Sequence, residues 1–335
     1  MTETQAKVAV IGAGYWGKNL VRNFHALGVL HAACDSDPGI RAAMATHYDG
    51  LRLDGDVGEI FQDPSVEAVA IATPAATHGA LVKAALEAGK HVFVEKPLCL
   101  DPQEAARLES LAAARGRVLM VGHLLLYHPA FIALRAAVAE GRLGTLRYIY
   151  SHRLSLGKIR REENALWSFA PHDVSMILQL AGRLPESVTA NGGHYLSDGV
   201  ADTTLSHLTF SGALQAHIFV SWLHPYKDQR LVIVGDAGMA VFNDVAPASD
   251  KLLFYPHQAH WREGLPVVSK AEAEAIPFGE AEPLRRECET FLAAIAGDAH
   301  PPSDAAEGIR VLRVLDACQR ALESGARVTL DGGHG

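Results

Sequence analysis

Along residues 1–124, short apolar runs alternate with longer stretches whose apolar residues recur every three to four positions. The short runs, residues 7–11, 29–34, 66–73, 91–95 and 118–123, are bounded by glycine, proline or acidic residues and predict strands buried on both faces. Between them Leu20, Val21, Phe24 and Leu27 mark one helical face. Residues 77–88 close on Gly89 as a left-handed cap, and residues 102–115 open on Asp101 as an N-cap. Strands alternating with helices of this length predict a doubly wound parallel sheet with right-handed crossovers.

The pattern changes near residue 124. A helix over 129–140 leads into a β-prone stretch, 146–154. Further strands are predicted at 187–190, 203–210, 213–222, 230–235 and 239–243, with a single helix, 171–181, among them. Strands without intervening helices predict a second domain of α+β type, 125–335, with a large, mostly antiparallel open sheet. Two helices, 283–296 and 305–324, close the chain.

Chemistry gathers where predicted strands end. The first runs into Gly12-Ala13-Gly14-Tyr15-Trp16-Gly17 and then a helix, the context that G-x-G-x-x-G needs to hold a dinucleotide. Gly12 permits the turn, Gly14 lets backbone approach a pyrophosphate, and Gly17 allows close packing of helix on strand. Asp35 ends the second strand 23 residues after Gly12, where a carboxylate grips ribose hydroxyls and repels a 2′-phosphate. NAD is therefore expected over NADP, with Arg41 softening the preference; the competing role for Asp35 is capping the helix after Pro38. The fourth strand ends in Glu95-Lys96-Pro97, and proline cannot continue a ladder. Lys96 then stands at the carboxyl edge of the sheet, where such folds hold ligands, unless it is a surface lysine before a loop. His78 opens a helix just past Thr73-Pro74, facing the cofactor or serving as a cap or packing residue.

Composition narrows the classes. Hydrophobic residues are 49% and charged ones 20%, as in ordinary globular domains. A net charge of −8 argues against nucleic-acid or anionic-membrane partners. Cys34, Cys99, Cys288 and Cys318 lack the spacing of a zinc site or disulfide framework, so no metal is expected. The most apolar window, 118–138, is interrupted by His123, His128, Pro129 and Arg135, so no membrane span is expected. Residues 1–7 have no apolar core of a signal peptide, and a reducing cytoplasm is the expected location.

Together with Ala72-Thr73-Pro74, Thr77-His78, Glu95-Lys96-Pro97 and Pro171-His172-Asp173, the glycine motif resembles the Gfo/Idh/MocA oxidoreductases over nearly the whole chain. The resemblance implies a Rossmann domain over 1–124, a nicotinamide cofactor, hydride transfer at a carbinol carbon, and subunits paired through the C-terminal sheet. Lys96 and His172 match the family's reaction centre. Cofactor contacts are expected from Gly12, Gly14, Tyr15, Trp16, Gly17, Asp35, Thr73, Pro74, His78, Glu95 and Lys96. Two positions depart from the family pattern: Leu126 replaces an arginine, and Ser168 replaces an aspartate four residues before His172. Ser168 can orient an imidazole but cannot stabilise an imidazolium as a carboxylate would.

Residues 151–173 are similar to the subgroup acting on the C3 hydroxyl of UDP-linked N-acetylhexosamines or their uronic acids. Arg153, Lys158, Arg160 and Arg161 concentrate positive charge there, which suits a diphosphate, whereas Glu162 and Glu163 offer them ordinary ion pairs. Substrate contacts are expected from Tyr127, Arg153, Arg160, Asn164, Trp167 and His172, although Trp167 also suits a core position. The alternatives are a dehydrogenase of a free sugar or inositol and, from another class, a non-catalytic NAD-binding sensor. A sensor has no need of Lys96 or His172.

Overall fold

The computed structural model describes residues 6–330 except Lys158. The chain divides into two compact units, Met1–Tyr127 with Ala281–Leu312, and His128–Glu280 with Arg313–Gly335.

The first unit runs β1 (Val8–Ile11), α1 (Gly17–Ala26), β2 (Leu30–Cys34), α2 (Pro38–His47), β3 (Arg52–Asp54), α3 (Val57–Gln62), β4 (Ala68–Ile71), α4 (His78–Glu87), β5 (His91–Glu95), α5 (Pro102–Arg115) and β6 (Leu119–Gly122). Its strands form a six-stranded sheet in the order β3-β2-β1-β4-β5-β6, every pairing parallel. All four residues of β1, β4 and β6 are buried, as their unbroken apolar runs require. Asp101 caps α5 by accepting from the Gln103 amide at 2.9 Å. The short β3 and α3 are too brief to leave a periodic signature in the sequence.

The second unit begins with α6 (Pro129–Ala139), β7 (Leu146–Leu154), α7 (Ala165–Ala181), β8 (Ser187–Gly193), β9 (Thr203–Thr209), β10 (Gln215–Ser221), β11 (Asp228–Gly235) and β12 (Met239–Asn243). It continues with β13 (Leu252–Tyr255), a separate hairpin of β14 (Gln258–Arg262) and β15 (Leu265–Ser269), and β16 (Glu274–Ala275). The chain then passes through α8 (Pro283–Ala296) and α9 (Ala305–Ser324) to β17 (Val328–Thr329). The larger sheet has nine strands in the order β16-β13-β12-β11-β7-β10-β9-β8-β17. Among the described residues only β7 and β10 pair in parallel, so it is mostly antiparallel.

α7 begins six residues earlier than the proline at 171 suggests, at Ala165. Asn164 caps it by accepting from the Trp167 amide at 3.2 Å, and Pro171 lies inside the helix. Proline there removes one ladder bond, but the flanking turns are held by a largely buried face. Ser168 and His172 are thereby placed one turn apart on the same side of a continuous helix.

α8 packs within the first unit. The Phe291 ring meets Phe24 and Phe93 edge-on at 6.5 and 5.9 Å, and Glu282 bonds Arg22 and Asn23 of α1.

Candidate functional site

The glycine turn is built to admit backbone and exclude side chains. Gly12 adopts φ +85°, and a Cβ there would stand 2.9 Å from the Ala72 oxygen and Thr73 nitrogen. A Cβ on Gly17 would fall 1.8 Å from the Gly12 oxygen. At Gly14, by contrast, an added Cβ meets only the Ile40 side chain at 3.8 Å, which leaves room for a ligand. Among the described residues no side chain caps the N-terminus of α1, and no acidic residue occupies its first turn, so its amides and dipole favour an anion. Asp35 accepts from the Ala13 amide at 2.8 Å, while Asp37, not Asp35, caps α2. The Asp35 carboxylate is thus held against the glycine turn. This donor and acceptor set fits a dinucleotide with unmodified ribose hydroxyls. The Arg41 guanidinium is held by the Asp35 and Ser36 carbonyls at 2.6 and 3.0 Å.

An Asp35→Ser variant is expected to weaken NADH binding about tenfold and to remove discrimination against NADPH, since hydrogen bonds to a charged partner contribute ~1.5–3 kcal/mol. Fluorescence titration of both reduced cofactors checks this. Tighter NADPH than NADH binding by the wild-type protein would overturn the assignment of Asp35.

Two strands along the same sheet edge, β5 delivers Glu95 and then Lys96. Trp16, in the glycine turn, donates its indole N–H to the Glu95 carboxylate, which brings the two motifs together. Tyr15 beside it is largely exposed, with the Lys18 ammonium 5.7 Å from its ring centre. Desolvation pushes the Glu95 carboxyl up to about 7, against the pull of the Trp16 N–H and Lys96. Thr73 and Thr77 share a 2.7 Å hydroxyl contact just past β4. His78 is buried with both ring nitrogens against backbone carbonyls.

Beneath this edge lies a polar cluster that motif reading does not reveal. Glu287 of α8 is fully buried, and neither carboxyl oxygen has a hydrogen-bond partner among the described residues. Burial and the nearby Glu95 push it well above the ordinary range. The His123 imidazole and the Glu307 carboxyl are paired at 2.5 Å, both buried. The one legible signal is that Glu287 falls on the apolar stripe of Leu284, Cys288 and Phe291.

Glu95 and Glu287 keep protons in the fold at a pH where an unfolded glutamate, near ~4.3, has lost its own. Unfolding then releases protons, so stability is full below that value and declines as pH rises toward about 7. Glu287→Gln is expected to flatten this decline in denaturant midpoints taken between pH ~4.5 and ~7.5. An unaltered slope would mean that Glu287 is ionised in the fold.

In the second unit the candidates on and before α7 separate into two groups. Arg153 is buried and donates to Asp173 at 2.7 and 3.3 Å. It neutralises a fully enclosed carboxylate and does not stand open to a ligand. Asn164 is a helix cap, and its amide and the Trp167 indole both donate to Gln319, at 2.8 and 3.1 Å. His172 is half-buried one turn beyond Ser168. Arg160 donates to the Ser168 hydroxyl at 3.1 Å and pairs with Glu163 at 2.9 Å, both through Nε. Arg161 is exposed, and Lys158 lies outside the described residues.

Tyr127, in the first unit, is buried with its hydroxyl 2.7 Å from Ser303, so its ring belongs to the core. Leu126 beside it is buried as well. Among the described residues no helix is long and apolar enough to cross a membrane, and no three His, Cys, Asp or Glu side chains are grouped as metal ligands.

The profile of the Gfo/Idh/MocA oxidoreductases, NAD-binding Rossmann fold, matches residues 6–123, and that of their C-terminal domain matches residues 131–241. UDP-N-acetylglucosamine 3-dehydrogenase from Acidithiobacillus ferrooxidans is 30% identical over 95% of this chain and 97% of its own. Its solved structure superposes with a TM-score of 0.83 at 29% identity, covering 95% and 97% of the two chains. Inositol 2-dehydrogenase from Rhizobium meliloti is 27% identical over 97% of this chain and 99% of its own. The WlbA dehydrogenase from Bordetella pertussis, solved with NADH and UDP-GlcNAcA, has a TM-score of 0.79 at 20% identity, covering 98% and 99%, a likeness of fold alone.

Proposed function

The chain belongs to the Gfo/Idh/MocA oxidoreductases, and on that premise we propose that it oxidises the C3 hydroxyl of a UDP-linked N-acetylhexosamine, or of its uronic acid, to a 3-keto nucleotide sugar. It is an NAD-dependent enzyme acting on CH–OH. The observation that carries the sugar-nucleotide reading is Arg160 bonded to Ser168, one turn before His172. The contacts this guanidinium makes among the described residues run through Nε, to the Ser168 hydroxyl and the Glu163 carboxylate, and its terminal N–H groups are further donors of the kind a diphosphate takes. A carboxylate at position 168 would be a second anion on that guanidinium; with a serine hydroxyl there, the Arg160 charge is paired with Glu163 and meets a neutral acceptor at Ser168.

The glycine turn and Asp35 hold the cofactor, and NAD, when bound, supplies the hydride acceptor. Lys96 donates a hydrogen bond to the C3 oxygen and stabilises the developing alkoxide, while the His172 imidazole takes the hydroxyl proton. Arg160 and Arg161 hold the diphosphate. Arg153 acts indirectly, by fixing Asp173 beside His172. Self-association is assigned to the face of the larger sheet that carries Tyr148, Tyr150, His152, His217 and Phe219, a half-buried aromatic ladder. A cytoplasmic location suits four buried cysteines that are all free thiols.

The test is NADH formation with UDP-GlcNAc, its uronic acid and myo-inositol as competing substrates. Turnover of myo-inositol above both nucleotide sugars would overturn the proposal. Arg160→Ala with Arg161→Ala should raise KM for the nucleotide sugar about 10- to 100-fold, losing ~1.5–3 kcal/mol of charge-assisted bonding, with NADH binding unchanged. Equal KM in the double variant and the wild type would return both arginines to a solvated loop.

A further inference from the structure

His78 is the first residue of α4 and only 1% exposed. Its Nδ1 lies 2.7 Å from the Pro97 carbonyl oxygen and its Nε2 2.9 Å from that of Thr73. A capping side chain accepts bonds from the first amides of its helix, whereas this ring faces carbonyls on two other segments. A packing residue would need no such partners. The two carbonyls belong to the segments on which the reaction centre is built. Thr73 follows β4 and lies against the glycine turn, where a Cβ on Gly12 would touch the Ala72 oxygen and Thr73 nitrogen. Pro97 follows Lys96 directly, and the next two residues, Leu98 and Cys99, are each 1% exposed and anchor the turn.

We infer that His78 is a positioning residue for Lys96: its imidazole bridges the Thr73 and Pro97 carbonyls and ties the lysine-bearing turn to the backbone that supports the dinucleotide. The contacts are contiguous, from Gly12 to Thr73, through the ring, to Pro97 and Lys96. A neutral imidazole has one N–H and satisfies one carbonyl at a time; a protonated ring satisfies both. Burial pushes the ring toward the neutral form, the two carbonyls pull the other way, and the Lys96 charge opposes protonation. The ring therefore senses the lysine electrostatically as well as through the turn. This inference rests on the reading of Lys96 as a group that touches the C3 oxygen.

The experiment uses full-length His78→Gln and His78→Asn with three readouts. Two need no sugar: NADH affinity, and the rate at which Lys96 in the NADH complex is acetylated by an N-hydroxysuccinimide ester, measured by mass spectrometry against exposed Lys83 of α4. The third is turnover of UDP-GlcNAc. A reacting group displaced by about an ångström costs up to about a hundredfold, so kcat is expected to fall about 10- to 100-fold with little change in KM. NADH affinity stays within about threefold, and Lys96 labelling relative to Lys83 changes by more than about threefold. Gln, whose amide reaches farther, retains more activity than Asn. Wild-type kcat with unaltered Lys96 labelling overturns the inference. So does NADH affinity falling in step with kcat, which would make His78 a cofactor ligand. Loss of cooperative unfolding and NADH binding in both variants would make it a structural core residue. If UDP-GlcNAc is no substrate of the wild type, the nucleotide-sugar reading fails while the labelling still decides the role of His78.

Discussion

Replacing Lys96 with methionine is expected to lower turnover of the nucleotide sugar about 10³-fold, the scale on which one preorganised donor to a developing oxyanion contributes. Methionine keeps the length and apolar stem of lysine and removes only the charge and its donors. The glycine turn, the Asp35 contact to Ala13 and the Trp16 contact to Glu95 are made by groups other than the lysine ammonium. NADH affinity should therefore change by no more than about threefold, because the interaction removed belongs to the transition state and not to cofactor binding. Single-turnover absorbance at the nicotinamide band separates the two effects. Loss of NADH binding with an unaltered chemical step would show that Lys96 is a cofactor ligand only.

His172→Asn is expected to cost about 10²- to 10⁴-fold in turnover, the range for removing a general base. The helix geometry makes this a clean substitution. His172 lies in the middle of α7, whose N-terminal cap is Asn164 and whose adjacent position is held by the buried Asp173–Arg153 pair. Asparagine keeps the hydrogen-bonding size of imidazole without titrating near neutrality. In the wild type a base must be deprotonated to act, so the rate rises with pH through its pKa. That acid limb should disappear in the variant. If the variant keeps both wild-type turnover and the acid limb, histidine is not the base and Lys96 inherits the role.

Much of the first unit was legible because its determinants are local. Strands buried on both faces read as unbroken apolar runs, and Asp101 before Pro102 announces a helix start by its own hydrogen bond. The glycine turn is equally local: the requirement for φ above zero at Gly12 and for no Cβ at Gly17 is met within one strand–turn–helix. The start of α7 was harder. Proline is common at the first helical position and rare inside a helix, so Pro171 pointed to a start that tertiary packing overrides.

By itself, then, the amino-acid order determined the alternation of strands and helices, the dinucleotide turn with its acidic partner at Asp35, and the placing of Lys96 where a strand must stop. Only the tertiary structure decided which charged side chains are available. Arg153 and Arg160 read alike in the sequence. Arg153 lies on β7 beneath α7 and is enclosed with Asp173, while Arg160 lies in the connection, partly exposed, and meets the Ser168 hydroxyl and the Glu163 carboxylate. Likewise Tyr127 turns into the core onto Ser303, and Glu287 is buried among apolar neighbours beside Glu95. The physical reason is range. Periodicity, caps and turns are set by neighbours within a few residues, whereas the partner of a charge is chosen by segments far apart in the chain that packing brings together, and the low dielectric of that packing decides its protonation.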